Sequence, residues 1–282
     1  MKYFYKLIPL ILLSLALLFS SGCSTVGLIT FVPDQRQEVF HNTLKSLNDL
    51  VRQTGNEDSQ KILSMFQKES VLITPTKDGF RDPKIWNERE TLKVVVLLPE
   101  DSRFPSWSQI VSDKKSYAYF FPRYNVIVLK RMDELSPVFQ AITVDHEGWH
   151  AFHFQSDSIV ARPLSSEHLA IERDTYEHGA SLLSSIGGEP YKMFMREEMK
   201  RIDAFVKNSV GGNTLPALKN EYNEKLDKIF GVAQSDTEKR SRVSFIGISG
   251  IFQYIDENYH GTQPEKELAK SNALLNIYRH GQ

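Results

Sequence analysis

Val144-Asp145-His146-Glu147-Gly148-Trp149-His150 is the stretch from which the rest of this 282-residue chain can be read. On a helix, residues four apart share one face about a turn apart, so His146 and His150 can offer two imidazole nitrogens to a single ion. Glu147 lies about 100° round the same helix from His146. That places it beside the open position of such a metal, as a base for water, rather than among the ligands. The surroundings predict a helix. Ser136-Pro137 has the form of an N-cap followed by proline at the first helical position. Val138, Ile142, Trp149 and Phe152 then supply apolar positions at helical spacing, with neither glycine nor proline interrupting before Gly148.

H-E-x-x-H on a helix resembles the zincin metallopeptidases, and the third ligand decides the branch. In the metzincin pattern a glycine stands three residues after the second histidine and another histidine three beyond it; here those positions are His153 and Ser156. An unbroken helix would also hold His153 about 10 Å along the axis from His146, so a supporting or core-edge role is expected for it. The gluzincin-like pattern takes a Glu from a later helix. Glu172 begins E-R-D-T-Y, similar to the ligand helices of such families, and by that resemblance Glu172 binds the metal while Tyr176 buttresses it. Glu177, in E-H-G-A, is the alternative third ligand. Glu167 and Asp174 are expected to be solvated. The resemblance covers residues 137 to 183. It implies one zinc ion, a peptide or protein substrate, and Glu147 as general base toward water activated by the metal. Asp145 and Tyr176 are expected to orient the imidazoles by hydrogen bonds. His178, Tyr191, Tyr254 and His260 are conceivable oxyanion donors, among which the sequence does not choose.

The N-terminus predicts export. Met1 to Lys6 is a short basic leader, Leu7 to Phe19 is nearly all apolar and too short to span a bilayer comfortably, and Ser20-Ser21-Gly22 precede Cys23. This resembles a bacterial lipobox, with Ser20 where leucine is usual. It implies a signal peptide over 1–22, lipidation of Cys23, and a membrane-anchored lipoprotein of the bacterial cell envelope. Cys23 is the sole cysteine, so it has no disulfide partner within the chain. Without residues 1 to 22, Lys2 and Lys6 are lost and the formal charge moves from −1 to −3, which argues against a nucleic-acid partner. With 41% hydrophobic residues, the remainder can bury one core.

Residues 23–33 read as a tether. A helix is expected over about 34–53, where Val39, Phe40, Leu44, Leu47 and Leu50 recur at helical spacing, and a second over 58–68. The segment 34–85 is thus expected to be helical, covering one flank of the domain. Strands are expected over 91–98, 116–121 and 125–130, the last two joined by a bend at Pro122-Arg123-Tyr124. Zincin-like folds place a sheet edge beside the metal, and Asn125–Lys130 is the candidate edge for pairing with an extended peptide. Gly187-Gly188 should end the helix carrying Glu172. Helices then follow over about 190–208, 214–230, 236–258 and 264–279, with Phe245–Phe252 in the core. The fold class is α+β: a zincin-like catalytic domain over 34–282, with a small sheet, an active-site helix and a largely helical C-terminal part over 189–282. Two other functions remain open: a noncatalytic envelope lipoprotein with a structural metal, and a zinc amidase acting on cell-wall material.

Overall fold

The computed structural model describes residues 34–86, 90–114, 116–157, 165–208 and 223–280. The leader, the tether and Cys23 lie outside the described residues. The first two helices form as the periodicity predicts, α1 over Asp34–Thr54 and α2 over Glu57–Glu69, the latter capped by the Asn56 side chain accepting from the Ser59 amide. They are not a separate cover. Leu47 and Leu50 of α1 and Ile62 and Phe66 of α2 belong to the main apolar core.

One strand escapes the sequence reading. β1, Ser70–Ile73, follows α2 directly, so the segment 34–85 contributes to the sheet as well as to the helices. After it come α3 (Pro83–Trp86), β2 (Leu92–Leu97), α4 (Pro105–Ser112), β3 (Ala118–Phe121) and β4 (Val126–Lys130). The sheet order is β1-β2-β4-β3, with β1, β2 and β4 parallel and β3 antiparallel to β4. β2 and β4 are buried throughout because both faces are covered. Leu92, Val94, Val96, Ile127 and Leu129 face the main core, while Val95, Leu97, Val126 and Val128 face a second cluster around Trp107 of α4. The expected peptide-pairing edge is therefore misplaced: Asn125–Lys130 is interior, and the edges are β1 and β3. Between β3 and β4 the bend is a 3-10 turn over Pro122–Tyr124, closed by Asn125 in the left-handed region at φ 49°.

The histidine helix is α5, Pro137–Asp157, followed by α6, Ser166–Asn208. Gly187-Gly188 interrupts α6, with Gly188 at φ 55° and ψ −145°, but the helix resumes at once instead of ending. Of the expected 214–230 helix, α7 covers Asn223–Phe230; α8 (Asp236–Asn258) and α9 (Gln263–His280) are as anticipated. Leu169, Ile248, Phe252 and Leu274 tie α6, α8 and α9 together in a small core of their own. The architecture is mixed α+β, mostly helical, with one four-stranded sheet.

α5 is fixed on three sides. Phe139, Ala141, Ile142 and Val144 enter the main core. Gly148 is required where α2 crosses: a Cβ there would meet Ile62 at 2.4 Å and Phe66 at 2.9 Å. At its start, Ser136 uses its hydroxyl to donate to Glu238 of α8 at 2.6 Å, and its amide also donates to Glu238 at 3.0 Å.

Candidate metal centre

α5 and α6 cross so that His146, His150 and Glu172 converge. One ligand atom from each can be chosen so that all lie within 4.8 Å of one another. His150 Nε2 is 3.4 Å from Glu172 Oε1, and His146 Nε2 is 3.9 Å from Glu172 Oε2. Ligands at bond lengths of roughly 2.0 to 2.1 Å around a tetrahedral ion stand about 3.3 Å apart, so these separations need only small rotations. The donor set also has the right charge state. Burial lowers His150 to about 4 and His146 well below its ordinary value, so both imidazoles are neutral at physiological pH with a lone pair to give. Burial raises Glu172 above the usual carboxylate range, and the neighbouring His168 partly offsets this.

Glu147 lines the same cleft as these three residues. It is pushed up to about 8 by burial and by the Glu172 carboxylate, against a hydrogen bond from the Phe120 main chain. That bond links it to the sheet edge. The Tyr117 carbonyl accepts from the Lys130 amide at 2.9 Å, and strand alternation then turns the main-chain groups of Ala118 and Phe120 away from β4 and toward the cleft.

The remaining candidates separate. Glu177 points elsewhere, its carboxylate 2.6 Å from Lys270 Nζ. Tyr176 touches His146 ring to ring, with centroids 5.1 Å apart, and its hydroxyl bonds to Tyr278 instead of to an imidazole. Asp145 also differs from expectation: it is 1% exposed and its Oδ2 lies 2.7 Å from His178 Nε2. About 100° round α5 from His146, Asp145 is turned to His178 and not to the imidazoles. There His178 stacks on Trp149 at 4.2 Å. His146 Nδ1 makes no hydrogen bond among the described residues.

Of the conceivable oxyanion donors, His178 is engaged with Asp145, Tyr191 packs against Phe230, Tyr254 donates to Asp203 at 3.2 Å, and His260 is exposed. None of these four lines the cleft at His146, His150 and Glu172. His153 does line it, its ring centroid 4.8 Å from that of Trp149.

The sequence reading missed two contributors. His168, one turn before Glu172, brings Nε2 to 3.6 Å from its Oε1. Tyr278, in the last turn of α9, donates to Glu172 Oε2 at 3.0 Å. Burial and the nearby carboxylate raise both Tyr176 and Tyr278 far above ordinary phenols, so both keep their protons. The His168–Glu172 spacing of four offered a weak signal for His168; nothing in Asn276-Ile277-Tyr278 announced a contact 106 residues away.

No protein-family model, curated protein or solved structure matches the chain.

Proposed function

We propose that the chain is a zinc metallopeptidase of zincin-like, gluzincin-like type, held at the bacterial cell envelope by lipid on Cys23. The observation that carries this reading is the convergence of His146, His150 and Glu172 within 4.8 Å, in a cleft that also contains Glu147. Two imidazoles and one carboxylate leave a fourth position open, which suits a catalytic site better than a structural one, normally closed by four protein ligands. His146, His150 and Glu172 would hold a zinc ion, which when bound would supply Lewis acidity toward a carbonyl oxygen and lower the pKa of water toward neutrality. With a dication beside it favouring its ionised form over the raised value, Glu147 would take the proton of the attacking water and return it to the leaving amine. An extended peptide pairs with the outward main chain of β3, which brings a scissile carbonyl alongside Glu147. Tyr278 holds Glu172 in place from α9, and Tyr176 bonds to Tyr278 in turn.

Zinc content of the full-length protein, purified in detergent without chelators, tests the ligand set. Wild type and Glu177→Ala should each carry one equivalent, and Glu172→Ala should carry none. Zinc retained in Glu172→Ala, or absent from wild type, would refute the assignment. A finer effect is expected at Tyr278. Hydrogen-bond partners of metal ligands typically contribute 10- to 100-fold in affinity, so Tyr278→Phe should weaken zinc binding by about that factor in a competition titration with a fluorescent chelator. An unchanged affinity would mean that Glu172 is positioned by its own helix alone.

A further inference from the structure

The cleft does not stop at the metal centre. A second cavity of about 520 Å³ adjoins the first along β3, and the two share Ser116, Ala118, His146, Glu147 and Tyr176. They form one channel past Glu147, and its two arms differ in chemistry. The arm containing His150 is lined by histidines and aromatic rings and contains Glu172. In the other arm, one face of α8 forms the wall. Thr237, Arg240, Ser241 and Ser244 all line it at spacings of three and four residues, so a single stripe of hydroxyls and one guanidinium faces the space. Lys114 lines the same arm, and apart from Glu147 at the junction no carboxylate among the described residues does. Such a wall offers donors and positive charge, answered among the described residues by Glu147 alone.

Those cations are also available. Arg240 is exposed and makes one hydrogen bond, to Thr237 Oγ1 at 3.2 Å, and neither it nor Lys114 has a carboxylate partner among the described residues. The acids nearest in sequence are engaged elsewhere: Asp236 with Lys239, Glu238 with Arg242, and Asp113 with Lys130. A guanidinium with free nitrogens presents a planar fork that matches a carboxylate, and the adjoining hydroxyls can donate to the same group.

We infer that this arm is a substrate subsite for a carboxylate, held by Arg240 with Lys114, on one side of the scissile bond. The inference rests on the metallopeptidase reading and names its substrate class: peptides with an acidic side chain, or a free C-terminus, on that side. A cavity of about 520 Å³ accommodates a side chain with its flanking main chain.

The test uses the zinc-loaded full-length protein in detergent and one set of peptides. The set carries Glu, Gln or Lys at each of three positions on either side of a fixed cleavage site, each peptide with a free or an amidated C-terminus. Cleavage is followed with wild type and Arg240→Glu. Binding of fluorescein-labelled versions is followed by polarisation with Glu147→Gln, alone and combined with Arg240→Glu. Charge-assisted hydrogen bonds of this kind correspond to about 10- to 100-fold. Glu peptides should therefore outbind Lys peptides by that factor at positions on one side only, and Arg240→Glu should reverse the order. If instead amidation lowers binding by that factor while Glu and Lys peptides bind alike, the carboxylate is the terminal one; if amidation has no effect and Glu outbinds Lys, it is a side chain. Binding indifferent both to Glu against Lys and to amidation, or a preference that survives Arg240→Glu, overturns the subsite. Cleavage without charge preference would leave the peptidase reading standing while removing this one. Arg240-dependent binding without any cleavage would do the reverse.

Discussion

Glu147→Gln should lower peptide hydrolysis by a factor of about a hundred to ten thousand while leaving one zinc bound, the usual range when a general base is removed. The substitution changes little else. Gln has the same size and can still accept from the Phe120 main chain, which hydrogen-bonds Glu147. Glu147 is not among the three residues whose ligand atoms converge, so metal retention is the necessary companion result. What is lost is the capacity to take up a proton. A Gln variant with wild-type turnover would remove Glu147 from the reaction, and one that lost its zinc would show that Glu147 belongs to the ligand set. The variant also supplies the inactive, zinc-loaded protein on which substrate binding can be measured without turnover.

How much of this was legible in the sequence depends on how far apart the partners lie. α5 could be read because its evidence is local: a Ser-Pro start, apolar residues at helical spacing, and two histidines one turn apart. β1 could not, because Ser70–Ile73 is only four residues long and continues α2 without a turn residue to separate them. The edge strand was misplaced for a similar reason. β4 is interior because β2 and β3 pair with it on its two sides, and a strand's place in a sheet is not written in its own residues. Glu172 was reachable by motif resemblance, and the crossing of α5 and α6 brings that residue, not Glu177, to the imidazoles. Asp145 was assigned by adjacency to His146, although helical geometry alone turns it away by about 100° and toward His178. Tyr278 and Arg240 meet the cleft only through the packing of α9 and α8, and no local pattern encodes that.

Glu238 shows the same division and leads to the largest expected effect on stability. Ser235-Asp236-Thr237-Glu238 has capping-box spacing, and the Glu238 amide does donate to Ser235 Oγ at 3.0 Å. Its carboxylate, however, leaves the box. It accepts from the amide and hydroxyl of Ser136, 102 residues away, from the Gln234 amide at 2.6 Å, and from Arg242 Nη2 at 2.6 Å. Glu238 and Arg242 are both fully buried, and the Arg242 guanidinium also lies 4.6 Å from the Phe139 ring centroid. Glu238→Ala therefore strands a buried guanidinium with only Asp227, the Gly231 carbonyl and the Ser136 hydroxyl as partners, and unpins the start of α5. Breaking a buried pair from one side costs about 3 to 5 kcal/mol, which lowers Tm by about 6 to 20 °C for a domain of this size. Replacing both charges, Glu238→Met with Arg242→Leu, removes the stranded cation and should recover much of that loss. Glu197→Ala, which breaks the exposed pair with Lys225, should leave the melting curve where it is, since solvent screens both charges. A Glu238→Ala melt no lower than that of Glu197→Ala would mean that α5 is held by its apolar contacts alone, and that the buried ion pair adds nothing to the placement of His146 and His150.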